Sequence, residues 1–166
     1  MTKKETSQTI TLDELFGGEV PRKVAREFGD RVVTEIVNRT LGGVDRSGND
    51  FVEYSKEYAK EKGVARGSVD MWLKGDMLPS INHTAKQDGT VKVEVTGKKN
   101  KLKSYNHNIG DTLPKRSFFG VKKTDLQRIA NEVKSDLGFK PKKQESASQT
   151  IGDIFDAIDA LSGESV

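Results

Sequence analysis

Between residues 21 and 40, Val24, Phe28, Val32 and Ile36 recur every four positions behind Pro21, a residue suited to a first helical position. The spacing predicts a helix over about 21–40 that ends at Gly42-Gly43, with Gly29 weakening it by about 1 kcal/mol relative to Ala. A turn-rich loop, Asp45-Arg46-Ser47-Gly48-Asn49-Asp50, leads into a short helix expected around 52–62, where Tyr54 and Tyr58 share one face. The rhythm then changes to a period of two. Val91, Val93 and Val95 alternate with Lys92, Glu94 and Thr96, while Ile81, His83 and Ala85 alternate with Ser80, Asn82, Thr84 and Lys86. This predicts a hairpin of 80–86 with 90–96, turned by Asp88-Gly89. Helical spacing returns at Leu126, Ile129, Ala130, Val133 and Leu137, after a capping-box pattern at Thr124-Asp125-Leu126-Gln127 and before a stop at Gly138. The sum is an α+β domain: a small antiparallel sheet packed against two main helices, with an irregular segment between the hairpin and the last helix.

Two polar stretches frame this core, which spans residues 21–138. Residues 1–20 are polar apart from Ile10, Leu12, Leu15 and Phe16 and predict a flexible N-terminal arm. Residues 139–149 have the charged composition of a linker. Residues 150–166 form an amphipathic helical arm, with Ile151, Ile154, Phe155, Ile158 and Leu161 on one stripe and Asp153, Asp156 and Asp159 opposite. About 12 residues are marginal for an isolated helix in water, so this arm needs a surface to dock on, either its own domain or, as in helix-in-groove recognition, another subunit or another protein. Ser7-Gln8-Thr9-Ile10 reappears as Ser148-Gln149-Thr150-Ile151, suggesting two similar docking arms whose apolar residues contact a partner.

Composition removes several classes of function. Of 166 residues 33% are hydrophobic, and the longest apolar run, Met71-Trp72-Leu73, is far below the roughly 20 residues of a membrane span. No secretory leader is expected, because Lys3-Lys4 is followed by Glu5-Thr6-Ser7-Gln8. The absence of cysteine rules out disulfides, thiolate nucleophiles and cysteine-ligated metals. His83 and His107 lack the paired spacing of a zinc site, and Ser104, His107 and Asp111 lie too close in sequence to converge as a triad. Asp45-x-Ser47-x-Asn49 begins like a calcium loop, but its glycine comes at position 4 instead of 6 and Lys56 stands where a bidentate Glu is required. An Asx-turn is the expectation there. Neither Gly17-Gly18 nor Gly42-Gly43 carries the Lys-Ser/Thr of a phosphate loop. The residues predict no enzyme, no cofactor and no metal.

Charge is more informative. Overall, 28 basic residues nearly balance 25 acidic ones, for a net charge of +3. Between Gly97 and Lys123, however, eight basic residues (Lys98, Lys99, Lys101, Lys103, Lys115, Arg116, Lys122 and Lys123) face one acid, Asp111, a local +7. Interleaved with Tyr105, Phe118 and Phe119, Lys98, Lys99, Lys101, Lys103, Lys115 and Arg116 are candidate contacts for a polyanion or an acidic neighbour. A basic nucleic-acid-binding module using residues 97–123 is therefore one reading. The dominance of lysine favours contact with charge over base reading.

Two blocks of sequence support another. One runs Asp45-Arg46-Ser47-Gly48-Asn49-Asp50-Phe51, Tyr54-Ser55, Tyr58 and Lys62-Gly63, then Val69 to Ile81 with Gly75, Met77, Leu78 and Ile81. The other is Pro114-Lys115-Arg116-Ser117-Phe118-Phe119-Gly120, before the helix at Leu126. Together they resemble the tailed-bacteriophage virion-morphogenesis or tail-completion proteins, a group of neck and head–tail joining components, across roughly residues 24–137. The resemblance implies a structural virion protein assembled in the host cytoplasm. It also implies a closed ring, most often of six subunits, between tail tube or terminator and head-connector proteins, with passing contact to double-stranded DNA and none to a membrane. The matching residues Gly48, Phe51, Gly75, Met77, Leu78, Ile81, Pro114, Phe118, Phe119 and Gly120 are packing and turn types, so anchoring is their expected role.

Overall fold

The structure, a computed structural model, describes residues 6–71, 75–110 and 113–141. Among these the chain forms β1 (Ser7–Thr11), α1 (Asp13–Phe16), α2 (Arg22–Leu41), α3 (Lys56–Lys62), β2 (Ile81–Ala85), β3 (Thr90–Val95), α4 (Lys98–Ile109) and α5 (Lys123–Asp136), with a short 3₁₀ turn at Leu78–Ser80. The three strands make one antiparallel sheet in the order β1-β3-β2. With α2 laid on the sheet and α5 beside it, the fold is α+β.

The hairpin register follows the alternation. Ile81 pairs with Val95 and Ala85 with Val91, and Val91, Val93 and Val95 are fully buried on the inner face. Gly89 takes a left-handed φ of 74°, while the Asp88 carboxylate accepts from the Thr90 amide at 3.0 Å, so the turn is held from both sides. Val24, Phe28, Val32 and Ile36 of α2 meet this face, joined by Leu126, Ile129, Ala130 and Val133 of α5. Both long helices stop as their glycines predict. The Val44 amide reaches back to the Arg39 carbonyl (3.1 Å) and the Phe139 amide to that of Lys134 (2.9 Å), with Gly43 and Gly138 at positive φ.

Several expectations need correction. Residues 6–20 are part of the domain and not an arm. β1 pairs along its whole length with β3, Ser7 to Glu94 through Thr11 to Thr90, and Gln8 exchanges two side-chain hydrogen bonds with the Val121 backbone at 3.0 and 2.9 Å. Ile10, Leu12, Leu15 and Phe16, expected to face a partner, are buried in the chain's own core, Leu12 at 0% and Phe16 at 1% exposure. Ile10 is the one buried residue of β1, Leu12 caps α1, and the Phe16 ring packs edge-on against Phe28 at 5.6 Å. The expected linker also begins too early, because Phe139 packs against Phe16 at 5.8 Å. The segment after the hairpin is not irregular: residues 98–109 are the helix α4. No capping box forms at Thr124, since the cap position of α5 is two residues earlier, at Lys122, with no side-chain cap; Gln127 instead donates to the Leu15 carbonyl at 3.2 Å. α3 is shorter than expected because the Ser55 hydroxyl caps it, accepting from the Tyr58 amide at 3.1 Å.

Candidate partner-binding site

The segments that carry distinctive residues converge past the C-terminal end of α2. Asp45 organises its turn by accepting from the amides of Ser47 (2.7 Å) and Asn49 (2.9 Å), the expected Asx-turn. Partial burial raises its pKa, but these bonds outweigh burial and hold the carboxyl below the usual range. From this turn the Arg46 amide donates to Ser117 (2.8 Å), Phe51 donates to Gly43 (2.8 Å), and Arg39 spans the carbonyls of Phe118 (2.6 Å) and Gly120 (2.9 Å). Phe51, Met77, Leu78, Ile81, Phe118 and Phe119 are all buried. Gly48, Gly75 and Gly120 have φ of 91°, 72° and 100°, a left-handed backbone that side chains disfavour.

Arg116 is the clearest departure from the sequence reading. Expected as a basic contact, it is 5% exposed and spends its donors inside the protein: Nε and Nη2 bond the Val52 carbonyl at 3.1 and 2.9 Å, and Nη2 reaches that of Glu53 at 3.3 Å. Its guanidinium lies 5.1 Å from the Tyr54 ring centroid. Burial lowers its pKa, with Tyr54 and Tyr58 acting in the opposite direction. A planar fork matches carbonyls that the strandless segment 51–55 leaves without ladder partners, which is why an arginine sits here.

α4 explains the remaining basic residues. Its buried positions are Ser104 and Asn108, and it docks through polar bonds: Asn108 Oδ1 accepts from the Phe119 amide (3.1 Å), and the His107 carbonyl accepts from Arg116 (2.7 Å). Lys101 lies 3.6 Å from Glu94, which Lys92 also pairs at 2.8 Å, and Lys103 lies 4.0 Å from Asp76. Among the described residues no carboxylate is within ion-pair distance of Lys98, Lys99 or Lys115. Lys98 and Lys99 stand in the first turn of α4 with no acid beside them, so the helix dipole adds to their positive field.

Between α4 and the two tyrosines is a cavity of about 510 Å³. Tyr54, Tyr58, Met77, Leu78, Leu113 and Pro114 give it apolar walls, and Lys99, Lys103 and His107 line it from α4. The tyrosine rings meet edge to face at 4.9 Å. Tyr54 is fixed by Lys62, whose ammonium bonds its hydroxyl at 3.1 Å and also pairs with Asp70; burial disfavours that charge, but the two bonds outweigh it and raise its pKa. Desolvation, with Arg116 and Lys103 nearby, drives the His107 pKa down to about 4, so the wall it contributes is neutral at physiological pH. Sequence reasoning placed Tyr54 and Tyr58 on one face but missed their role as a cavity wall, which depends on α4 folding across from them. Ser104 is buried with its hydroxyl near the Asn108 amide at 3.3 Å, while Asp111 and the residues Ile151, Ile154, Phe155, Ile158 and Leu161 lie outside the described residues.

No group of three His, Asp or Glu side chains converges as a metal site among the described residues, and no helix among them is long and apolar enough to cross a membrane. No protein-family model, curated protein or solved structure matches the chain.

Proposed function

We propose that this chain is a non-enzymatic structural component of a tailed-phage particle, a tail-completion or neck protein that closes into a ring, most often of six copies, between the tail and the head connector. One observation supports the reading above the others. The two blocks that carry the resemblance are bonded to each other through the Arg46 amide and the Ser117 carbonyl, and the second block is tied to residues flanking the first through Arg116 to Val52 and Arg39 to Phe118 and Gly120. The residues of both blocks thus belong to one structural unit, as the resemblance requires of them.

The sheet adds a physical route to assembly. β1 and β2 are both edge strands, and the pairing of Ser80 with Thr96 and of Lys86 with Thr90 turns the backbone groups of Ile81, His83 and Ala85 away from β3. Such an edge is a ready surface for pairing between neighbours, and ring closure satisfies it in every subunit. With Arg116 buried and Lys101 and Lys103 near carboxylates, the exposed charge of residues 97–123 is smaller than the sequence suggests. We assign most of it to protein contact, since a strongly basic lumen would hold exiting DNA by salt-sensitive attraction.

Two measurements test this together: cosedimentation with tails that lack the protein, and a DNA gel shift across a salt series. The reading predicts binding to tails, little DNA affinity, and a variant without residues 148–166 that keeps its circular dichroism yet fails to join particles. Micromolar DNA binding that collapses with salt, with no association with tails, would replace it by the basic nucleic-acid-binding module.

A further inference from the structure

We propose that the cavity between α4 and Tyr54–Tyr58 receives residues 151–161 of a second copy of this chain. The inference rests on the ring reading only in needing that second copy. Chemical complementarity favours this occupant. The cavity offers apolar walls with Lys99 and Lys103 on one side, Lys103 lying 4.0 Å from Asp76, which also lines the cavity; the segment offers Ile151, Ile154, Phe155, Ile158 and Leu161 on one stripe and Asp153, Asp156 and Asp159 on the other. Residues 151–166 contain four acids and no Lys or Arg, against an α4 that begins Lys98-Lys99 and has no acid in its first turn. A volume of about 510 Å³ falls within the roughly 300–1,000 Å³ of pockets that bury an apolar ligand, enough for anchor side chains from one helical stripe. Leu113, one of the few exposed large hydrophobics, is 41% exposed on the cavity wall, so docking there would cover it. His107, neutral at physiological pH, adds no charge to the apolar surface.

Reach points to a neighbouring copy. The described residues end at Pro141, which lies against Gly17 ahead of α2, and Phe139 packs on Phe16. The cavity lies past the other end of α2, where Phe51, three residues before Tyr54, bonds Gly43. The 20 residues of α2 separate the two ends by about 30 Å. A connection of residues 142–150 covers about 30 Å only when fully extended, and about 17 Å as a random coil. Its own cavity is thus at the limit of its span, which favours a second copy as the source of the segment.

The absence of cysteine makes the test direct. Full-length Lys99→Cys and Asp156→Cys variants are mixed and mildly oxidised, with Glu132→Cys, on the exposed side of α5, replacing Lys99→Cys as control. The expected result is a disulfide-linked species at twice the 18.3 kDa chain mass from the Lys99→Cys mixture and not from the control. A Lys99→Cys/Asp156→Cys double variant should link into multimers. Closure of the double variant within single chains, or absence of the link, overturns the proposal. Light scattering on the same samples separates the two failures: ring-sized particles without the link leave the ring reading standing, and an 18.3 kDa species alone removes both.

Discussion

Gly29 lies in the middle of α2, where helix propensity alone says that alanine would stabilise the protein by about 1 kcal/mol. The structure predicts the opposite sign. A Cβ at this position would lie 2.6 Å from Cγ and 2.7 Å from Cε1 of His83, well inside van der Waals contact. The ring cannot yield freely: its Nε2 bonds Asp30 at 2.9 Å, and its Nδ1 is enclosed without a partner. Overpacking costs about 1–3 kcal/mol and the lost hydrogen bond about 0.5–1.5, against the propensity gain of about 1. Gly29→Ala should therefore destabilise the protein by about 1–3 kcal/mol. In a His83→Ala background the clash disappears and the same change should stabilise by about 1 kcal/mol, a coupling of about 2–4 kcal/mol between two residues that touch. Urea denaturation of the four proteins, followed by circular dichroism, reads both signs. A Gly29→Ala effect that is stabilising, or equal in both backgrounds, refutes the packing of His83 over this helix.

Four other substitutions test different parts of the account. Leu12→Ala should cost about 2–5 kcal/mol in the same denaturation assay, because Leu12 is wholly buried; a value near zero would restore the N-terminal segment as an arm. Arg116→Met should cost about 1–3 kcal/mol by leaving the carbonyls of Val52 and Glu53 without donors, whereas Lys99→Gln should stay within about 0.5; equal effects would mean that Arg116 is a surface charge after all. His107 gives a pH dependence. Its pKa is about 4 when folded and near 6.5 when unfolded, so protonation favours the unfolded state. Full stability is present above pH 6.5 and falls as the pH drops toward 4, by at most about 3 kcal/mol. Asp45 and Glu94, whose pKa values are lowered by their partners, lose their contributions at lower pH still. Thermal melts between pH 7 and 4.5 should therefore show a steeper decline for the wild type than for His107→Gln; parallel curves would contradict the burial of this imidazole.

The elements legible in the sequence are those whose stability comes from one apolar face. α2, the hairpin and α5 each expose a clean period to inspection, and the fold class follows from them. The elements missed owe their placement to something periodicity does not register. α4 buries Ser104 and Asn108, with Asn108 bonded to Ser117 and Phe119, and leaves Leu102 exposed, so its sequence reads as a lysine-rich loop even though lysine is a good helix former. β1 has only five residues and buries only Ile10, so it carries no alternation that would stand out from a polar terminus without its partner β3. Arg116 reads as surface charge from its lysine neighbours; its actual environment is set by carbonyls more than 60 residues earlier in the chain. The cavity wall depends on both of these tertiary facts, which is why its tyrosines were visible in the sequence and the cavity was not.

The claim on which the functional account depends is that this chain works as one copy in a closed homomeric array. Multi-angle light scattering of the purified full-length protein, over a range of concentrations at physiological salt, tests it most directly. The account predicts one discrete ring-sized multiple of 18.3 kDa, near 110 kDa for six copies. A single 18.3 kDa species at every concentration, unchanged when tails are added, would contradict it.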